Sequence, residues 1–134
     1  MAGYSATPLA KKLGIKEGHR VFLSAAPRNY RKLLKPLPSG VVFVSRITDA
    51  TDLIQAFFLR RSEIARFLKS ALSVMKKDCP LWVSWPKKSS GAETDITEDV
   101  IRDVALPLDL VDIKVCAVDG IWSGLKLVVR KEKR

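Results

Sequence analysis

Short, unbroken apolar runs alternate along this chain with segments whose apolar residues recur every three or four positions. The dense runs suit strands buried on both faces of a sheet, and the spaced ones suit helices packed along one side. On that reading residues 20–25, 41–44, 52–59, 81–85, 111–118 and 122–130 are predicted strands. Residues 7–13 form a short predicted helix, with Thr7 as cap, Pro8 at the first helical position and Gly14 as its stop. Residues 29–34 allow one or two helical turns before Pro36 and Pro38 end them. A longer helix follows the third strand, with Ser62 placed to cap it and Ile64, Phe67, Leu68, Ala71, Leu72 and Met75 on one face. The last predicted helix covers residues 96–105, opened by Asp95 and Glu98 as a capping pair.

Strands that alternate with helices imply parallel pairing through right-handed crossovers. Asp119-Gly120, between the last two strands, is a tight-turn pair and makes those strands antiparallel. The predicted fold is therefore a Rossmann-like three-layer α/β sandwich, with a mixed, mostly parallel sheet of about six strands ending in an antiparallel hairpin. Residues 1–134 are read as one domain, with residues 1–6 a loose start and residues 131–134 a basic, frayed end.

Composition is ordinary except for a net charge of +10, and that charge is unevenly spread. Residues 1–40 carry net +7 and residues 60–88 net +6, whereas residues 89–112 carry net −6. The polarity points to an anionic small molecule or an acidic macromolecule as partner, nonspecific nucleic-acid association included. The basic helix residues Arg60, Arg61, Arg66, Lys69, Lys76 and Lys77 lack interleaved aromatics, so they read equally as a solvated face. Cys79 and Cys116 are far apart and adjoin apolar runs, as reduced, buried cysteines of a cytoplasmic protein do. No apolar run reaches the roughly 18 residues of a membrane helix, and no membrane partner is expected.

The order of elements resembles that of class I S-adenosylmethionine-dependent methyltransferases. The strands near residues 21–25, 53–59, 81–85, 111–118 and 126–130 correspond to that family's first, fourth, fifth, sixth and seventh, with one strand-helix unit skipped near the middle. The resemblance implies a ligand edge beyond the carboxyl ends of the strands, lined by residues 25–30, 45–51 and 85–94. It also calls for a glycine turn after the first strand and an acid that holds ribose hydroxyls. Ala25-Ala26-Pro27 stands at the turn, and Asp49 and Asp52 are the acids nearest the second position. The polar-Pro-Pro-aromatic block of amino-methylating members is replaced by Arg60-Arg61-Ser62.

A second resemblance lies in wording. Leu81-Trp82-Val83-Ser84-Trp85-Pro86-Lys87, Thr94-Asp95-Ile96-Thr97-Glu98 and Trp122-Ser123-Gly124-Leu125-Lys126 are similar to blocks in a family of small bacterial proteins that carries no assigned activity. No catalytic residue, metal ligand or cofactor is assigned on either resemblance. The binding residues expected at the ligand edge are Arg28, Asn29 and Tyr30 from one loop, and Trp85, Lys87, Lys88, Ser89, Ser90 and Gly91 from another. Trp85 offers a ring for stacking, and the lysines and hydroxyls suit a phosphate or carboxylate. The alternative for the second loop is a mobile polar connection with Trp85 packed in the core. His19, the only histidine, precedes the first strand at the opposite end and reads as a turn residue. The function these features indicate is a noncatalytic binding or interaction module; nucleic-acid association, and an enzyme or binder of an anionic metabolite at residues 85–91, stand as alternatives.

Overall fold

The computed structural model describes residues 7–134, so the expectation for residues 1–6 lies outside the described residues. Ten regular elements follow in order: α1 (Leu9–Leu13), β1 (Arg20–Ser24), α2 (Tyr30–Leu33), β2 (Val42–Val44), β3 (Leu53–Phe57), α3 (Arg61–Leu72), β4 (Leu81–Pro86), α4 (Glu98–Ala105), β5 (Leu110–Ala117) and β6 (Trp122–Val129). The six strands lie in the order β2-β1-β3-β4-β6-β5. The first four are parallel, and β6 runs antiparallel to both β4 and β5. The Rossmann-like mixed sheet expected from the sequence is present. The expected hairpin is present too, but its second strand is inserted between β4 and β5 instead of extending the sheet.

β3 and β4 are buried along their whole length. Their side chains alternate between two apolar layers, as strand geometry requires. Ile54, Ala56, Leu81, Val83 and Trp85 face α3 and α4, against Ile64, Leu68, Ala71, Ile101 and Ala105. Leu53, Phe57 and Trp82 face α1 and α2, against Ala10, Leu13, Tyr30 and Leu34. β2 departs from its expected burial on both faces. It is an edge strand of three residues with Val42 half exposed, since it pairs only with β1. The chain then passes from β2 to β3 through residues 45–52 without a helix.

Local chemistry explains where the helices begin and end, and corrects three expectations. The cap position of α1 falls on Pro8, not Thr7. At its other end Gly14 takes the left-handed conformation and donates to the Lys11 carbonyl. Lys12 and Leu13 carbonyls are met from distant strands: Lys114 Nζ donates to the first at 3.0 Å and Trp82 Nε1 to the second at 2.9 Å. Ser62 does not cap α3. The Asp95 carboxylate, 34 residues away, accepts from the Arg61 N–H at 2.7 Å and occupies that role. α4 is capped by Thr97, whose Oγ1 accepts from Val100 N at 3.2 Å. Glu98 and Asp99 instead pair with Arg102, which reaches on to Asp112 on β5 at 2.9 Å.

The two cysteines also differ from each other: Cys79 is buried, whereas Cys116 is only half-buried, and both are free thiols. His19 Nδ1 accepts from Lys16 N at 3.1 Å and closes the turn before β1. Among the described residues no helix is long and apolar enough to cross a membrane.

The capping assignment is directly testable. Asp95→Ala is expected to cost about 1 kcal/mol in urea denaturation, the usual loss of a carboxylate cap, while Ser62→Ala stays within about 0.5 kcal/mol of the parent. Equal losses at the two positions would contradict the assignment.

Candidate functional site

In a sheet of this kind the loops beyond the carboxyl ends of β1, β3 and β4 form the edge where a ligand would sit. The loops after β1 and β4 stand at that edge, and each borders a cavity. After β1 the chain turns at Ala25 with φ of +55°, a left-handed conformation that a side chain opposes by about 1–2 kcal/mol. The turn therefore keeps the geometry that favours glycine but carries a methyl group. A second left-handed residue, Asn29 with φ of +66°, starts α2, which is a single turn of four residues.

Tyr30 follows at once and turns inward. Its hydroxyl donates to Gln55 Oε1 at 2.6 Å, and Gln55 Nε2 donates to Ser84 Oγ at 3.2 Å. All three side chains are buried, so the network places polar atoms in the centre of the sheet and leaves none of them unpaired. The Tyr30 ring packs edge-on against Phe57 at 5.0 Å, and Phe57 against Trp122 at 5.1 Å. Burial drives the Tyr30 phenol well above its ordinary range. Arg28 and Asn29 are exposed above it. A cavity of about 450 Å³ is lined there by Leu23, Ala26, Pro27, Asn29, Tyr30 and Arg31, among others.

The second loop is tied down by its own hydroxyls. Residues Lys88–Ser90 form a single 3-10 turn that ends at Gly91 in the left-handed conformation. Ser90 Oγ donates to the Lys87 carbonyl at 2.6 Å and accepts from Ala92 N at 3.2 Å. The Lys87 N–H donates to the Ile121 carbonyl at 2.7 Å. Thr94 Oγ1 donates to the Leu59 carbonyl at 2.7 Å, which ties this loop to the connection between β3 and α3. Ser90 therefore spends its hydroxyl inside the loop, and the Lys87, Lys88 and Ser89 side chains are the ones left for a ligand. Trp85 is 7% exposed and packs in the α3/α4 layer, with its edge on a cavity of about 290 Å³ that Lys88, Thr94 and Glu98 also line.

The residues expected at one site are thus divided by the sheet. Tyr30 belongs to the α1/α2 layer and Trp85 to the α3/α4 layer. Of the acids suggested for ribose, Asp52 sits at the opposite edge, where it accepts from Arg20 N at 2.8 Å and from Lys76 Nζ at 2.7 Å. Sequence reasoning missed Gln55 as a functional atom. A single amide within the apolar run Leu53–Phe57 was the available signal, because a buried polar side chain demands a partner. It also missed the cavity of about 540 Å³ between α3 and α4, lined by Arg61, Ser62, Lys69, Asp95 and Asp103 among others. Its walls come from two helices far apart in the chain, so no local pattern marks it.

No family model matches the chain, and no curated protein matches it. Solved structures do. A S-adenosylmethionine-dependent methyltransferase from Aquifex aeolicus superposes with a TM-score of 0.62 at 16% identity, covering 90% of this chain and 88% of its own. A protein of Sulfolobus solfataricus assigned to the type 11 methyltransferases gives 0.61 at 14% identity, over 92% and 90%. The tRNA methyltransferase TrmK of Bacillus subtilis gives 0.56 at 11% identity, over 96% and 68%. At such identities the likeness establishes a Rossmann-like methyltransferase fold and no activity.

Two expectations follow for the site residues. Ala25→Gly removes a methyl from a left-handed backbone and is expected to raise stability by about 0.5–1 kcal/mol in urea denaturation, the relief of left-handed strain exceeding the added chain entropy. Lower stability would contradict it. Alkaline pH is expected to destabilise the fold in two steps. Burial holds the Cys79 thiol up at about 12 and the Tyr30 phenol higher still, so each stays protonated in the fold after the unfolded chain has lost its proton. Their contributions are complete below the unfolded values, near 9 and 10, and decline as pH rises above them. Tyr30→Phe should cost about 1–3 kcal/mol at pH 8 by stranding Gln55, and should abolish the decline that begins near pH 10. Urea midpoints at pH 8 and pH 11 separate the two effects.

Proposed function

We propose that this chain is a noncatalytic binding or interaction module built on the methyltransferase fold, and that it belongs with the small bacterial cytoplasmic proteins whose sequence blocks it resembles. The observation that carries this reading is the closed β1–α2 turn. A cofactor held at this edge needs a backbone that can approach it closely and a helix of useful length behind it. Ala25 puts a methyl on the turn, α2 is four residues long, and Tyr30 fills the space beneath with its hydroxyl already committed to Gln55.

The Thr94 bond to Leu59 supports the same reading, since it fixes the loop after β4 to the connection that follows β3. The +10 charge gives the partner its character, an anionic small molecule or an acidic macromolecule. Isothermal titration of the purified chain with S-adenosylmethionine and with S-adenosylhomocysteine tests the proposal. No saturable heat corresponding to a Kd below about 1 mM is expected from either. Saturable binding in the micromolar range would overturn the noncatalytic reading and return the chain to the enzymes whose fold it shares.

A further inference from the structure

The amino-terminal edge of the sheet, opposite the edge discussed so far, gathers lysines from three separate elements. Lys114 on β5 and Lys126 on β6 are direct cross-strand partners in the ladder. Like charges in that relation are destabilising, and a sheet normally sets an acid or a neutral residue at one of the two places. Lys114 cannot swing away without loss, because its ammonium donates to the Lys12 carbonyl at the end of α1. Lys126 is half-buried, and its Nζ lies 3.8 Å from the point a Cβ on Gly14 would occupy. Gly14 itself is left-handed, so this close approach is built into the end of α1.

Lys16, in the connection between α1 and β1, completes the group. Burial and the nearness of Lys114 and Lys16 together hold the Lys126 ammonium below the usual lysine range. Lys16 and Lys126 line a cavity of about 320 Å³ together with Gly14, His19, Lys76, Asp52, Asp78 and Pro80. Of the two acids there, Asp52 accepts from Lys76 and from Arg20 N, and the charge of Asp78 also acts on Lys76. Among the described residues no carboxylate pairs with Lys16, Lys114 or Lys126. Residues 1–6 contain no acid that could do so. His19 adds a donor: its Nδ1 accepts from Lys16 N, which leaves the proton of the neutral ring on Nε2.

We propose that Lys16 and Lys126, backed by Lys114 on β5, form a binding site for a small phosphate dianion, a phosphomonoester or pyrophosphate group, at the amino-terminal edge beneath the end of α1. A dianion beside Lys16 and Lys126 turns the mutual repulsion of the three lysines into attraction, and the cavity that these two line admits a phosphate with a small substituent. The site is independent of the function proposed for the carboxyl edge and stands whether or not that edge binds a ligand.

Thermal melting of the full chain in a low-salt buffer free of phosphate tests it, with pyrophosphate as probe and sodium chloride at equal ionic strength as reference. Pyrophosphate in large excess is expected to raise the midpoint of the parent by about 5 °C beyond the chloride reference. Lys126→Met should melt no lower than the parent without ligand, since a like-charge pair is gone, and should lose most of the pyrophosphate response. Lys16→Ala, at an exposed side chain, should weaken the response, and Lys131→Ala, outside the cluster, should keep it. A parent shift no larger than the chloride reference overturns the site. So does an equal response in Lys16→Ala, Lys126→Met and the parent. If Lys126→Met fails to fold, the contrast between Lys16→Ala and Lys131→Ala decides. A single-stranded oligonucleotide without terminal phosphate separates the two sources of phosphate. A Lys16-dependent shift with that polymer and none with pyrophosphate would overturn the small-dianion assignment.

Discussion

The indole of Trp82 is the contact on which the thin side of this sandwich depends. It is completely buried near the start of β4, where its ring fills the layer under α1 and its N–H must find an acceptor. The acceptor is the Leu13 carbonyl at the end of α1. A five-residue helix has little stability of its own, and this bond, with the Lys114 bond to Lys12, holds α1 on the sheet by satisfying two of its terminal carbonyls. The same ring dictates the neighbouring strand. A Cβ at Gly124 would lie 3.1 Å from Trp82 Cε3, so any larger residue at that point of β6 would have to push the indole aside by a few tenths of an ångström. β6 in turn carries Lys126 to the foot of α1.

A related demand shapes the opposite edge. Gln55 and Ser84 lie in strands with no access to water, and each polar atom buried there needs a partner. The partner at the end of the chain of bonds is the Tyr30 hydroxyl. Pulling Tyr30 inward commits the first turn of α2 to structural work. That commitment brings the β1–α2 loop down onto the sheet through two left-handed residues. The inward placement of Tyr30 at the carboxyl edge is thus a consequence of polar atoms in the core of β3 and β4, and it follows from packing more than from the loop's own composition.

These relations mark what the chain reveals by itself. All six strands, the long helix with its buried stripe and the Asp119 turn are local patterns, and each was legible. The Asp119 side chain, for example, accepts from Ile121 N and Trp122 N within its own hairpin. Features that join distant residues were not. Asp95 reads as the start of α4 because it sits three residues before Glu98, yet it caps α3 from 34 positions away. The apolar run at β2 reads as a buried strand, and only its place at the end of the sheet order exposes Val42. Tyr30 and Trp85 could be named from their loops, but Tyr30 stands on α2 in one layer while the pleat of β4 turns Trp85 into the other. The lysine cluster escaped for the same reason: Lys114 and Lys126 become neighbours only through the register of β5 on β6.

The two edges differ in a way that the layer of α1 and α2 explains. That layer consists of helices of five and four residues, too short to cover the sheet or to present a useful dipole to a ligand. At the carboxyl edge the shortfall is met by a side chain, Tyr30, which fills the space. At the amino-terminal edge it is met by cations, because the exposed carbonyls at the end of α1 attract Lys114 and leave room at Gly14 for Lys126. Among the described residues one carbonyl bond, from Lys114 to Lys12, holds an ammonium of this group and no carboxylate pairs with any of the three, so the positive charge gathered there exceeds what those residues neutralise. A short helix packed on a rigid sheet therefore closes one edge with apolar and hydrogen-bonded contacts. It leaves the other with a charge surplus that only a second molecule can complete.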